Sequence, residues 1–279
     1  MDKPEVTGCN CIIGQDVKFG DNVRLGHNVI IEDKVRIGCN VSIEDNTIIR
    51  GGVDLLSDSH VGANCILGEH LMDWHEGHPS YEHPLHIAAH ALIRSFTTIY
   101  GGSEIGEYFQ TGHYVNIREN SQLGHHVSVG NYSDIQGYVR IGNYVRMHSN
   151  DRIEQYSQID DYAWIGPGVE LANDPTPPSN HLQGVHIHSF ASIGARSLIL
   201  PGRNVESDAL VAAGAVVTKD VKSFTAVAGN PARVLADVRD IKNKKTGEPA
   251  YPWRYHFSRA MPWDGCGYDE WLKLMNLQE

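Results

Sequence analysis

Aliphatic side chains recur at every sixth position over most of the chain. One series runs Ile13, Phe19, Leu25, Ile31, Ile37, Ile43, Ile49, Leu55, Val61, Leu67. A second runs Ile93, Ile99, Ile105, Thr111, Ile117, Leu123, Val129, Ile135, Ile141, Met147, Ile153, Ile159, Ile165, Leu171, with Thr111 its one polar member. A third runs Ile187, Ile193, Ile199, Val205, Val211, Val217. A period of six fits neither an amphipathic helix nor the alternation of a hairpin strand. It predicts a short strand and a tight turn, repeated so that every aliphatic side chain enters one continuous interior: an all-β solenoid. Glycine often follows the aliphatic residue, as at Gly14, Gly20, Gly26, Gly38, Gly106, Gly124, Gly142, Gly166 and Gly194. It is expected there to supply the backbone freedom of the corner. Four positions after the aliphatic residue stands a small or β-branched one, as at Val17, Val23, Val29, Val35, Val41 and Thr47.

Two stretches break the phase. Leu67 and Ile93 are 26 residues apart, and Leu171 and Ile187 are 16 apart. Neither spacing is a multiple of six, so insertions are expected at about 68–92 and 172–186. In a solenoid such insertions project as loops from one edge, often the binding edge. The coil is expected over 1–230. After Pro231 the sixfold pattern stops, and residues 231–279 read as a short C-terminal helical and aromatic extension. ARVLADVRDIKNKK has helical spacing through Val234, Val238 and Ile241, and GYDEWLKLM predicts a second short helix. The aromatic run between them is expected to pack on the coil.

Composition then removes several classes. A formal net charge of −11 argues against a nucleic-acid partner. No apolar run approaches the roughly 18 residues that span a bilayer, so no membrane partner is expected. The start, MDKPEVTGCNC, lacks the apolar stretch of a signal peptide, which makes the cytoplasm the expected location. Five cysteines without a CxxC pair speak against a disulfide scaffold or a four-cysteine zinc site. From Lys219 to Arg259 nine basic residues face four acidic ones, a local excess suited to an anionic ligand such as the phosphates of CoA.

The runs, with the tail GAVVTKDVKSFTAVAGNPARVL, resemble the left-handed parallel β-helix of the hexapeptide-repeat acyltransferases. Three hexapeptides there make one triangular coil of 18 residues. The resemblance covers roughly residues 8–235. It implies a homotrimer with acyl-CoA and acceptor bound in clefts between subunits. The segment FQTGHYVNIREN (109–120) is similar to a motif of hexapeptide N-acyltransferases acting on nucleotide-linked amino sugars.

If residues 18 apart stack, Ser95, His113 and Asn131 form one ladder, and Gly101, Glu119 and Gly137 another, leaving space around the Glu119 carboxylate. Phe96, Tyr114 and Tyr132 form an aromatic ladder suited to a sugar or base. Transfer of an acyl group from a thioester to an amine needs a neutral amine, hence a group to bind it and accept a proton. Glu119 and His113 are the catalytic candidates, with Ser95, Asn116 and Tyr114 as substrate contacts. ANDPTPP resembles the Asn-Asp-x-x-Pro loop of sugar N-acetyltransferases, which adds Asn173 and Asp174, although Pro178 and Ser179 stand where a basic residue is usual. For the cofactor the resemblance implies backbone contacts along the last coils, at Ala213 and Gly214, with Lys219 and Arg233 as phosphate partners.

The expected function is an N-acyltransferase using acetyl-CoA or another acyl-CoA and a dTDP- or UDP-linked amino deoxy sugar, in polysaccharide biosynthesis. The alternatives are an O-acyltransferase on a sugar or serine hydroxyl, and a metal enzyme like the γ-class carbonic anhydrases. His70, His75, His78, His83, His86 and His90 raise the metal question, but their spacing is irregular, that family's arginine–glycine–aspartate stretch does not appear, and no metal is expected.

Overall fold

The computed structural model describes residues 4–275. The chain forms the solenoid that the sixfold period predicts. Mostly two-residue strands alternate with four-residue turns and stack into three sheets of 13, 11 and 10 strands, here faces A, B and C, parallel except for the last strand of face A. Successive strands visit A, B and C in turn, so each coil has three corners. Partners such as Gln110 and Ser128, or Asn116 and Asp134, lie 18 residues apart in register.

The aliphatic series points inward. Leu25, Ile31, Ile37, Ile99, Ile135, Ile153 and Ile199 are all buried in one continuous core, as are the second-set residues Val23, Val29 and Val35. Burial of each such side chain is worth roughly 1.5–3 kcal/mol. Thr111 is buried as well, and its hydroxyl is satisfied: Oγ1 accepts the Arg94 N–H at 2.9 Å and lies 3.3 Å from Thr97 Oγ1.

The corner glycines have a different cause from the one expected. The left-handed corner residue stands three positions after the aliphatic one. It is Asn10, Asp16, Asn22 and Asn28 in the first coils, and Tyr108, Tyr114, Tyr132, Tyr138 and Tyr144 later, all with φ near +60°. Asn and Asp tolerate that region, and their amides build ladders, with Asn22 Nδ2 donating to Asn40 Oδ1 at 2.9 Å. Gly14 is needed because coils approach closely: a Cβ there would lie 2.7 Å from the Asp33 backbone nitrogen.

Both insertions leave the B–C corner. The first follows the strand Ile66–Glu69, forms short 3₁₀ turns at Met72–Glu76 and Ser80–Glu82, and rejoins the coil at the strand His86–Ile87. Ile87 pairs in register with Leu55 and Ile105, so the coil is re-entered one hexapeptide before Ile93. The second lies between Glu170–Leu171 and His186–Ile187.

The C-terminal extension corrects one expectation. Arg233–Asp237 is a strand, not a helix, running antiparallel to Thr225–Ala228 after Gly229 turns at φ +93°. The last coil ends in an open sheet edge, and pairing that edge outweighs a weak helical spacing. The second helix is present at Tyr268–Leu274. The aromatic run packs on the coil as expected: Trp253, Met261, Trp263 and Tyr268 form a core with Tyr144, Tyr162 and Phe190 of the C–A corner. No helix among the described residues is long and apolar enough to cross a membrane.

Candidate active site

Glu119 sits on the B–C corner, between the two insertions along the stack. Its carboxylate is mostly buried, 14% exposed, and accepts from Arg118 Nε at 2.7 Å and Arg118 Nη2 at 3.2 Å. The Arg118 guanidinium lies 4.9 Å from the centre of the Tyr100 ring. Gly137, one coil on, makes room for the acid: a Cβ there would lie 2.8 Å from Glu119 Oε1. On the Gly101 side the space is taken by the first insertion. The Gly102 N–H donates to the His83 carbonyl at 3.0 Å, and a Cβ on Gly101 would lie 2.6 Å from the same oxygen.

The first insertion thus lies along the corner. Below, Lys34 Nζ caps the Tyr81 ring at 3.4 Å. Above, the insertion walls a cavity of about 810 Å³ whose lining includes His70, Asp73, Trp74, His83, Arg118, Glu119 and Tyr138. Within it His83 Nε2 is 2.6 Å from Asp73 Oδ2, an imidazole oriented by a carboxylate. His70 stacks on Trp74 with ring centres 4.3 Å apart. Burial, reinforced by the Arg50 charge, holds the His70 imidazole below its usual value. Such a pocket offers an acid paired to arginine, a carboxylate-oriented imidazole and an apolar wall, in the size range of small-molecule sites.

His113 occupies a different corner. It is exposed on the A–B corner, where its N–H donates to Asn131 Oδ1 at 2.7 Å. Ser95, Tyr114, Ala213 and Gly214 share that corner. Tyr114 stacks between Phe96 and Tyr132, centres 4.5 and 5.0 Å away, which is the predicted aromatic ladder. Asn116 lies on face B between the two corners and donates from Nδ2 to Asp134 Oδ1 at 2.8 Å.

Asn173 and Asp174 open the second insertion on the Glu119 corner. Asp174 folds its own loop, accepting from Ser179 Oγ at 2.7 Å, the Ser179 N–H at 2.8 Å and the Thr176 N–H at 3.0 Å. The Ser179 hydroxyl, with these amides, holds its carboxyl below the usual range. Gly214 takes φ +71° on the last A–B corner. Lys219 and Arg233 are exposed beyond it. The basic excess of 219–259 does not form one patch: Lys222 pairs with Glu206 at 2.7 Å, Arg239 with Asp237 at 2.6 Å, and buried Arg254 with Asp208 at 3.4 Å.

Sequence reasoning passed over the Asp73–His83 pair. Its only signal is an acid and a histidine inside one inserted loop, and loop residues carry no register from which to place them.

The bacterial transferase hexapeptide (six repeats) family model matches residues 10–44. Curated relatives include 2,3,4,5-tetrahydropyridine-2,6-dicarboxylate N-acetyltransferases of Staphylococcus aureus. That of strain bovine RF122 / ET3-1 is 42% identical over 81 residues, 29% of this chain and 33% of the relative. That of strain JH9 is 41% identical over the same shares. The chain therefore spans about a third of the length of the curated relatives it matches. Among solved structures, LpxA from Acinetobacter baumannii aligns at 16% identity over 82% of this chain and 72% of that one, with a TM-score of 0.38. PerB from Caulobacter crescentus, in complex with CoA and GDP-perosamine, aligns at 18% identity over 62% of this chain and 71% of that one, with a TM-score of 0.35. By its sixfold period and its three-faced coil, this chain folds as a parallel β-helix built from hexapeptide repeats.

Proposed function

We propose that this chain is a CoA-dependent N-acyltransferase whose acceptor is the amino group of a nucleotide-linked amino sugar. The observation that carries the reading is the B–C corner cavity, where Glu119 and the Asp73–His83 pair lie under the first insertion. The curated relatives that match over 81 residues are named N-acetyltransferases, which supports transfer to nitrogen.

In this reading Glu119 binds the acceptor amine. His83, oriented by Asp73, removes a proton as the amine attacks the thioester carbonyl. The C–N bond forms, the C–S bond breaks, and the CoA thiolate leaves and is protonated. Tyr138 and Trp74 flank the sugar. The acyl donor runs along the A–B corner past Ala213 and Gly214, with Lys219 and Arg233 toward its phosphates and His113 and Tyr114 on the same edge. Neighbouring copies in a homotrimer then bring a donor edge to an acceptor corner. No metal takes part in this reaction.

The test is free-thiol release from acetyl-CoA and longer acyl-CoAs with a panel of dTDP-, UDP- and GDP-linked amino sugars. Turnover with an amino sugar, and none with its hydroxyl counterpart, is expected. Turnover only with a hydroxyl acceptor would replace the reading with O-acyl transfer.

A further inference from the structure

A second constellation lies away from the Glu119 cavity. Ile159 and Ile187 are register partners on face C, although the second insertion separates them by 28 residues in sequence. Stacking therefore places Asp160, which follows Ile159, against the segment His186–His188. The carboxylate spans both rings: Asp160 Oδ1 is 2.9 Å from His186 Nε2, and Oδ2 is 3.4 Å from His188 Nδ1. The two imidazoles stack with centres 3.8 Å apart and planes 27° from parallel. One donor atom from each of the three residues lies within 4.8 Å of the other two. All three side chains are between 30% and 39% exposed, so solvent reaches them. Asp160 also lines an open depression of about 600 Å³ with Arg140, Gln158 and Ser189.

Two imidazole rings and a carboxylate, converging with one side left to solvent, are a donor set for a transition-metal ion rather than for Ca²⁺ or Mg²⁺, which want more oxygens. Zinc bonds to such ligands are about 2.0–2.2 Å long, so modest side-chain rotations from the present hydrogen-bonded arrangement would close them on an ion. The irregular histidines of the first insertion gave no such expectation. Only coil stacking across the second insertion brings Asp160 to His186 and His188.

We propose that Asp160, His186 and His188 bind one divalent transition-metal ion, zinc by the nature of the donors, with its remaining positions open to water. The ion ties the coil before the second insertion to the coil after it. This assignment is independent of the acyl-transfer reading, because none of the three residues belongs to the Glu119 cavity.

The experiment uses the full chain, stripped with chelator and titrated with Zn²⁺ by calorimetry and with Co²⁺ by visible spectroscopy. With sixteen histidines available, stoichiometry and variants decide. One ion per chain is expected, with Co²⁺ bands of four- or five-coordinate strength and a metal-dependent rise in Tm. His186→Ala and His188→Ala should each weaken binding by about 100-fold or more, and Asp160→Asn should also weaken it. Circular dichroism of the metal-free variants checks that they fold, and the more conservative His188→Gln serves if either alanine variant does not. Absence of binding by the wild type, or binding unchanged in all the variants, would overturn the proposal.

Discussion

Asp151 gives the sharpest prediction for the coil itself. It occupies an inward corner position that is apolar or hydroxylic on the neighbouring coils, as at Val169 and Ser133, and only 1% of its surface is exposed. Oδ1 accepts the Val169 N–H at 2.9 Å, while Oδ2 has no hydrogen-bond partner. Burial pushes the carboxyl from 3.8 up to about 8, against the opposing pull of the Val169 and Gly168 amides. The folded chain therefore holds a proton that the unfolded chain has released, and stability falls as pH rises from about 4 through 8. At about 1.4 kcal/mol per pH unit, the loss between pH 5 and pH 8 is roughly 4 kcal/mol. Asp151→Asn keeps the acceptor for Val169 and cannot ionise. Thermal melts at a series of pH values should show variant and wild type close together at pH 5. At pH 8 the variant should melt about 7 °C higher. Parallel curves across that range would refute the reasoning.

Three further outcomes follow from the same geometry. Gly137→Ala places a methyl group 2.8 Å from Glu119 Oε1, so acyl transfer should fall about tenfold or more; Tm should stay within a few degrees, and calorimetry with activity assay separates the two. Asp73→Asn removes the carboxylate that orients His83 at 2.6 Å; kcat should drop on the order of 100-fold with KM little changed, as steady-state kinetics would show. Trp263 is fully buried in the aromatic core of the extension, so Trp263→Ala should cost roughly 3–5 kcal/mol of local stability, read as earlier hydrogen exchange over 251–274.

The sixfold period made the coil legible because one burial rule repeats at every turn: Ile31, Ile99 and Ile199 all face the same interior. It also marked both loops, the first only to within a hexapeptide because the coil already resumes at His86–Ile87, since a broken period is visible without knowing what fills it. Residue ladders followed from the 18-residue coil, and the Phe96–Tyr114–Tyr132 stack is where that arithmetic placed it. What the period does not encode is the path of a loop. The descent of the first insertion over Gly101, and the meeting of Asp73 with His83, depend on long-range packing inside an aperiodic segment. The Arg233–Asp237 strand was hidden for a related reason: its conformation is set by a sheet edge, not by its own sequence. The cause of the glycines after the aliphatic positions was hidden too, because a close approach between coils and a turn demanding positive φ leave the same letter in the sequence.

The central claim is that acyl transfer occurs at the B–C corner beside Glu119. Comparing wild type, Glu119→Gln and His83→Asn in one thiol-release assay, at saturating acyl-CoA and with product mass confirmed, tests it directly. An acylated amino sugar is expected from the wild type and a loss of at least about 100-fold in both variants, with the fold intact by circular dichroism. Full turnover in Glu119→Gln would contradict it and remove the chemistry from this corner.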